Sequence, residues 1–201
     1  MNVRDQLRAS RIMAVLRLGT QHTDPVALAE RLVEAGVTAV ECTMDSPDAL
    51  ATIDRLRRSL DSSVIVGAGT VTEVAQINAL EQVGVSFIVS PHTDPALIER
   101  SRALNLEPIP GVLSPTDTQR ALAAGASILK LFPAGPMGVA YLRAMSAPFS
   151  GASWIPTGGI ELPDVMAWID AGALCVGVGS ALWTTPDVAA EIARLHTMEA
   201  P

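Results

Sequence analysis

A helix end runs into a strand start in residues 124–132, which read Ala-Gly-Ala-Ser-Ile-Leu-Lys-Leu-Phe. The Ala-Gly pair is typical of a helix terminus, because glycine adopts the left-handed conformation that ends a helix at no steric cost. The apolar run Ile128–Phe132 that follows is typical of a buried strand. The same junction recurs along the chain, at Ala35-Gly36, Val83-Gly84 and Ala171-Gly172.

Short apolar runs start roughly every 20 to 27 residues, which suits one strand, one helix and two short loops. The predicted strands are Ile12–Leu16, Ala39–Thr43, Val64–Ala68, Phe87–Ser90, Pro108–Gly111, Ile128–Phe132, Trp154–Thr157 and Cys175–Gly177. Capping residues and prolines mark the helix starts. These signals are Asp24-Pro25, Ser46-Pro47, Thr93-Asp94-Pro95, Ser114-Pro115 and Leu162-Pro163.

Eight strand–helix units with short loops indicate an α/β fold with a parallel sheet. In a chain of 201 residues they favour a closed (β/α)8 TIM barrel, and an open flavodoxin-like sheet is the structural alternative. We expect a single domain over residues 1–201. A short helix over Asp5–Arg11 is expected to cover the barrel floor.

The composition excludes several classes of function. The net charge is -7, with 14 Lys+Arg against 21 Asp+Glu, so nucleic acid and anionic membranes are poor partners. No run of about 18 apolar residues and no signal-peptide pattern occurs, which favours a cytoplasmic protein. The three histidines, His22, His92 and His196, are far apart in the sequence, and we expect no metal site.

Lys130 is the only lysine, and the remaining Lys+Arg residues are all arginines. It lies inside the apolar strand Ile128–Phe132, where alternation directs Ile128, Lys130 and Phe132 to one face. A desolvated lysine can lose its proton, whereas arginine stays charged, and a free amine attacks carbonyl groups. A lysine that snorkels to solvent or pairs with a carboxylate is the structural alternative.

Glu41 is the predicted partner of Lys130. It sits in the second strand between apolar neighbours, where an unpaired carboxylate would be costly. Alternation places Glu41 and Thr43 on one face and Val40 and Cys42 on the other. If Glu41 faces the interior, it can act as a general acid and base beside Lys130. A purely structural ion pair is the alternative.

Two glycine-rich turns follow the seventh and eighth predicted strands, at Thr157-Gly158-Gly159 and Gly177-Val178-Gly179-Ser180. Barrels often bind phosphate at this place, through backbone amides and the start of a short extra helix. The Gly67–Thr70 turn after the third strand offers another close approach of the backbone, with a hydroxyl.

These stretches resemble the 2-keto-3-deoxy-6-phosphogluconate (KDPG) / 4-hydroxy-2-oxoglutarate (KHG) aldolases over nearly the whole chain. The matching segments are Val40-Glu41, Gly67–Thr70, Ile88-Val89-Ser90-Pro91, Leu129–Pro133, Ala147-Pro148-Phe149, Thr157-Gly158-Gly159 and Gly179-Ser180. The resemblance implies a class I aldolase without metal or organic cofactor, usually a homotrimer.

The resemblance also implies a role for each matching residue. Lys130 would form the imine and Glu41 would be the acid and base. Thr70 and Pro91 would line the pyruvate end, and Phe132 would pack near the lysine. The phosphate would be held by Gly158, Gly159, Gly179 and Ser180.

Three positions mix features of two branches of this family. The gluconate branch has arginine where this chain has Asp45, whereas the galactonate branch has arginine at the end of strand one, as Arg17 is here. We therefore expect Arg17 to bind the substrate carboxylate, with a solvated cation as the alternative. Thr157, in contrast, resembles the gluconate branch, so a relaxed epimer preference is expected.

The predicted function is a Schiff-base aldolase that splits a 2-keto-3-deoxy-6-phospho sugar acid into pyruvate and glyceraldehyde 3-phosphate. A KHG aldolase is the nearest alternative. Another phosphate-binding barrel enzyme, such as an epimerase or decarboxylase, would require metal or an Asp-x-Lys motif. A non-catalytic phosphosugar-binding barrel would have no need of a lone strand lysine.

Overall fold

The computed structural model describes residues 2–19 and 24–198, so His22 lies outside the described residues. These ranges contain nine strands: β1 (Ile12–Leu16), β2 (Ala39–Thr43), β3 (Ile65–Gly69), β4 (Phe87–Val89), β5 (Glu107–Ile109), β6 (Gly111–Val112), β7 (Ile128–Leu131), β8 (Ser153–Pro156) and β9 (Val176–Val178). Seven of the eight predicted strands agree with the structure to within one residue at each end.

Helices alternate with these strands. They are α1 (Val3–Ser10), α2 (Pro25–Glu34), α3 (Ala49–Ser59), α4 (Val74–Gln82), α5 (Pro95–Ala103), α6 (Pro115–Ala123), α7 (Val139–Ser146), α8 (Val165–Asp170), α9 (Ala181–Thr184) and α10 (Val188–Thr197), with 3-10 turns at Ala147–Phe149 and Leu162–Asp164. In the part of the chain that the structure covers, none of them has the length and apolar character needed to cross a bilayer.

All strand pairs are parallel, and the strands form a curled sheet rather than a doubly wound one. Six strands follow the order β5-β4-β3-β2-β1-β9, and three more follow the order β6-β7-β8. The last strand therefore lies beside the first, and the strand order does not reverse as it does in a flavodoxin-like sheet. The flavodoxin-like alternative is thus wrong.

Pro110 divides the fifth predicted strand, Pro108–Gly111, into β5 and β6. Proline has no N–H to donate, so it cannot contribute a full ladder residue. Its carbonyl still accepts a hydrogen bond from Lys130 N at 2.9 Å. Because of this break, β5 pairs with β4 while β6 pairs with β7.

Most of the predicted helix starts are confirmed by cap hydrogen bonds. Asp24, Asp94 and Ser114 each accept a bond from a backbone N–H of the first helical turn, and proline follows each of them. The prediction for Ser46-Pro47 is wrong, because α3 begins at Ala49 after Asp48 in a left-handed conformation. Ser46 instead forms a side-chain bond to the Thr43 hydroxyl and accepts one from Leu18 N.

The predicted glycine helix ends are confirmed as well. Gly36, Gly84, Gly125 and Gly172 all have positive φ, between 74° and 110°. In each case the chain leaves the helix and enters the next strand within a few residues, as the Ala124–Phe132 stretch suggested.

The two faces of the sheet bury different clusters. Val40, Cys42 and Leu129 pack outward against the helices. Ala39 and Ile128 belong to a smaller cluster on the inner face, which confirms the alternation predicted for β2 and β7. This inner cluster is Leu7, Met13, Val15, Ala39, Ile65, Phe87, Val89, Ile109, Ile128, Ile155, Leu174 and Cys175.

The N-terminal helix α1 covers the end of the sheet where the strands begin, as predicted. Leu7 is fully buried in the inner cluster. Arg4 donates hydrogen bonds to Ser127 just before β7 and to Ser153 at the start of β8. Consequently, access to the inner face lies at the opposite end, where the strands finish.

Leu7→Ala should lower the free energy of unfolding by about 2–5 kcal/mol, because it opens a cavity beneath the inner cluster. The matched control is Leu50→Ala on α3, where the leucine is 37% exposed and a change of less than about 0.5 kcal/mol is expected. Urea unfolding of both variants measures this difference. Equal effects in the two variants would contradict the role of Leu7.

Candidate active site

A lysine and a glutamate meet on the inner face of the sheet. Lys130 Nζ lies 4.0 Å from Glu41 Oε1, and their side chains are 5% and 0% exposed. Lys130 is in β7 and Glu41 is in β2, so two distant parts of the chain supply the pair. The predicted encounter of these residues is confirmed, and the snorkelling alternative is wrong for Lys130.

Gly69 provides the space that the Glu41 side chain occupies. A Cβ atom at Gly69 would overlap the Glu41 carboxyl group. Within the described ranges, neither carboxyl oxygen of Glu41 has a hydrogen-bond partner. The carboxyl group is therefore held by its walls and by the charge of Lys130, rather than by a network of donors.

Burial raises the pKa of Glu41 above its ordinary value. The charges of Lys130 and Arg17 oppose this shift, and the charge of Asp45 reinforces it. A carboxyl group with a raised pKa is better suited than an ordinary one to deliver a proton as well as to accept one.

The Phe132 ring flanks the amine of Lys130. Its centroid lies 5.0 Å from Lys130 Nζ, and the same ring fills the space that a side chain at position 158 would occupy. Gly158 also has a φ of 90°, a conformation that favours glycine. The aromatic ring and the glycine turn thus pack together beside the lysine.

A cavity of about 480 Å³ opens at the ends of the strands and reaches Lys130. Its lining is Val15, Arg17, Leu18, Gly19, Asp45, Lys130, Phe132, Thr157, Gly158, Gly159, Ile160, Gly179, Ser180 and Trp183. A larger cavity of about 920 Å³ lies near α1 at the opposite end. We assign the chemistry to the smaller cavity, because only there does a buried amine face a space of ligand size.

Arg17 and Asp45 lie together at the mouth of this cavity. Arg17 Nε is 3.5 Å from Asp45 Oδ2, with side-chain exposures of 59% and 46%. Arg17 Nη2 also donates to Thr70 Oγ1 at 3.1 Å. The arginine therefore contacts residues of two neighbouring strand ends, while more than half of its side chain stays exposed.

The two glycine turns follow the adjacent strands β8 and β9, and both line the cavity. Gly159 has a φ of 72°, and Ser180 precedes α9. In the described part of the chain, the Thr157–Gly177 bridge engages the Gly158 amide, whereas the amides of Gly159 and Ser180 donate to no protein acceptor. Such amides are ready donors for an anion.

Thr157 lies between the lysine and these turns. It is buried, and its hydroxyl donates to Ile155 O at 3.3 Å. Gly177 of the adjacent β9 leaves space for its side chain, since a Cβ there would overlap Thr157. Thr157 is also one of the residues that line the cavity.

The structure places most of the predicted site residues in one cavity, but not all of them. Glu41 lies behind the wall, and Thr70 reaches the mouth through its bond to Arg17. Pro91 does not line this cavity, since its backbone packs against Gly111. None of the groups of His, Cys, Asp and Glu among the described residues could hold a metal ion.

Trp183 is a wall residue that the sequence did not reveal. The three tryptophans are too scattered to suggest a site, but Trp183 follows Ser180 within the one turn of α9. Its only sequence signal is its place three residues after the Gly179-Ser180 turn.

Comparison with known proteins agrees with this geometry. The sequence profile of "Aldolase: KDPG and KHG aldolase" matches residues 3–195. A probable 2-dehydro-3-deoxy-6-phosphogalactonate aldolase of Rhizobium meliloti (strain 1021) is 34% identical over 173 residues, which are 86% of this chain and 81% of that protein.

Two solved structures are also similar to the chain. A 4-hydroxy-2-oxoglutarate / 2-dehydro-3-deoxyphosphogluconate aldolase from TTHB1 has a TM-score of 0.86 and 34% identity, covering 98% of this chain and 100% of that one. KDPG aldolase from Legionella pneumophila, with pyruvate captured as a covalent carbinolamine, has a TM-score of 0.84 and 26% identity, covering 98% and 97%.

The fold, the buried amine and these similarities define an aldolase, an enzyme of the lyase class. The chain belongs to the KDPG and KHG aldolase family. The mechanism of that family proceeds through a Schiff base with the keto acid.

Gly69→Ala should lower kcat/KM by about 100-fold or more, because the new methyl group must displace the Glu41 carboxyl group. Gly151→Ala is the matched control, since no atom lies within 4 Å of its added Cβ. Steady-state cleavage assays measure the effect, and circular dichroism verifies folding. A folded Gly69→Ala protein with unaltered kcat/KM would contradict the role of this slot.

Proposed function

We propose that this aldolase cleaves a 2-keto-3-deoxy-6-phospho sugar acid to pyruvate and glyceraldehyde 3-phosphate through an imine on Lys130. The observation that carries the proposal is the Lys130–Glu41 pair, 4.0 Å apart and almost fully buried, at the base of a cavity. Arg17 and the glycine turns line the same cavity and supply complementary sites for the two anionic ends of such a substrate.

The first half of the reaction builds the imine. Neutral Lys130 Nζ attacks the C2 ketone, and the carbonyl oxygen takes a proton delivered from Glu41. The Glu41 carboxylate then takes a proton from the attacking nitrogen, which gives the neutral carbinolamine. It returns that proton to the hydroxyl group, which leaves as water while the nitrogen lone pair forms the protonated imine. Because Glu41 lies behind the cavity wall, we propose that a water molecule relays these protons.

The second half breaks the carbon–carbon bond. The Glu41 carboxylate, again through water, removes the proton of the C4 hydroxyl. The C3–C4 bond breaks, and its electron pair moves toward the imine, which leaves a pyruvate enamine on Lys130 and the aldehyde of glyceraldehyde 3-phosphate. Protonation at C3 and hydrolysis of the imine release pyruvate and restore the amine.

Binding groups at both ends orient the substrate in this proposal. Arg17 binds the carboxylate, with Thr70 beside the pyruvate portion. The phosphate is bound by the turns that contain Gly158, Gly159, Gly179 and Ser180. Phe132 shields the imine from bulk water, so that its charge acts in a low-dielectric setting.

The same proposal covers the assembly and setting of the protein. One domain over residues 1–201 would form a closed eight-stranded barrel, supported by the bond from Leu174 N to Trp154 O at 2.8 Å and by the Thr157–Gly177 bridge. The family resemblance supports a homotrimer. Phosphorylated sugar acids are intracellular metabolites, which supports a cytoplasmic enzyme of the Entner-Doudoroff type.

Borohydride with pyruvate should add one reduced pyruvate unit at Lys130 and inactivate the enzyme. Lys130 is the only lysine, so the N-terminal amine is the one other primary amine that could react. Peptide mass mapping distinguishes the two sites. Lys130→Arg should be inactive and untrapped, since a guanidinium group cannot form the imine. An active enzyme whose Lys130 remains unmodified would contradict the mechanism.

Pyruvate release should be measured in parallel on the gluconate, galactonate and hydroxyoxoglutarate substrates. We expect both phosphorylated epimers to be cleaved. Thr157→Val should cost about 1–3 kcal/mol of transition-state stabilisation only for the epimer whose hydroxyl Thr157 contacts. The exposed Thr116→Val is the control, and a Thr157→Val enzyme with an unaltered epimer ratio would contradict this assignment.

A further inference from the structure

Three consecutive strand ends meet around one guanidinium group at the cavity mouth. Arg17 follows β1, Asp45 follows β2 and Thr70 follows β3. Arg17 Nε faces Asp45 Oδ2 at 3.5 Å, and Arg17 Nη2 donates to Thr70 Oγ1 at 3.1 Å. Arg17 and Asp45 both line the cavity that contains Lys130.

Arg17 has more hydrogen-bond donors than its contacts with Asp45 and Thr70 use. A guanidinium group carries five N–H donors in one plane. Among the described residues, Asp45 faces the Nε donor and Thr70 takes one Nη2 donor, so three Nη donors remain for a carboxylate. Two of these donors, one on each Nη atom, can bind a carboxylate in a bidentate way.

The backbone conformation of Thr70 is strained where its hydroxyl group contacts Arg17. Thr70 has a φ of 54°, an uncommon conformation for a β-branched residue. Such strained residues cluster at functional sites, where the surrounding structure holds them. The hydroxyl that contacts Arg17 is thus presented from a strained turn.

We propose, on the basis of the function proposed above, that Asp45 is a positioning residue that holds Arg17 in the orientation that binds the substrate carboxylate. An arginine at a strand end has four rotatable side-chain bonds and would otherwise lose much of its freedom on binding. Asp45 and Thr70 fix the plane of the guanidinium group from two sides before the substrate arrives.

A competing interpretation predicts the opposite change in keto acid binding when the charge of Asp45 is removed. Asp45 could instead occupy the place of the substrate carboxylate, so that substrate must displace it. Removal of the negative charge would then strengthen the binding of an anionic keto acid, whereas loss of a positioning residue weakens it. The sign of the effect therefore discriminates between the two roles.

The test uses the concentration dependence of borohydride trapping at Lys130 with two ketones. Pyruvate carries a carboxylate, and acetone does not. Asp45→Asn should raise the half-saturating pyruvate concentration about two- to fivefold, leave that of acetone unaltered and leave kcat within about twofold. Asp54→Asn is the matched control, because Asp54 forms an exposed ion pair with Arg58 on α3.

The double variant establishes that Asp45 acts through Arg17. Arg17→Ala should raise the half-saturating pyruvate concentration about 10- to 100-fold, and adding Asp45→Asn should raise it no further. A decrease or no change in Asp45→Asn, an equal change with acetone, or a further rise in the Arg17→Ala background would each overturn the proposal. A native chain that neither ketone traps would overturn the proposed function itself.

Discussion

The site depends on the burial of the Lys130–Glu41 pair away from water. Lys130 and Glu41 lie on the inner face of the sheet, among aliphatic and aromatic side chains. A charged pair in such surroundings gains from mutual attraction but loses its hydration, and the balance is delicate. The raised pKa of Glu41 expresses that balance, because burial outweighs the nearby positive charges.

Small residues around the pair make this arrangement sterically feasible. Gly69 leaves space for the Glu41 carboxyl group, Gly177 for Thr157 and Gly158 for the Phe132 ring. The inner face therefore changes character along its length, from a filled apolar floor near Leu7 to a glycine-walled cavity at the strand ends. The apolar floor and the lysine cavity thus occupy opposite ends of the strands.

Much of this could be predicted from the sequence, because the relevant signals are local or periodic. The strand repeat, the glycine helix ends and the faces of Glu41 and Lys130 all follow from chain geometry that neighbouring residues determine. The break at Pro110 was not predicted, since its effect depends on which neighbour each half of the strand finds. The late start of α3 has a similar cause, because Ser46 bonds to Thr43 and Leu18 instead of capping the helix.

The cavity mouth was the hardest part to predict, because it is formed by loops that follow different strands. The sequence suggested that Arg17 faces the substrate, but the contacts with Asp45 and Thr70 depend on tertiary placement. Pro91 matched a family segment and yet lies outside the cavity lining, since a match along the chain does not determine where the side chain ends up.

The position of Trp183 has a practical consequence. Trp154 and Trp168 are 2% and 4% exposed, and both belong to the outer cluster beneath the helices. Trp183 alone among the three indoles borders the lysine cavity. The tryptophan fluorescence of this chain thus contains one component that senses the polarity of the lysine cavity and two that do not. Binding of a ligand in the cavity can therefore be followed by fluorescence without an attached dye.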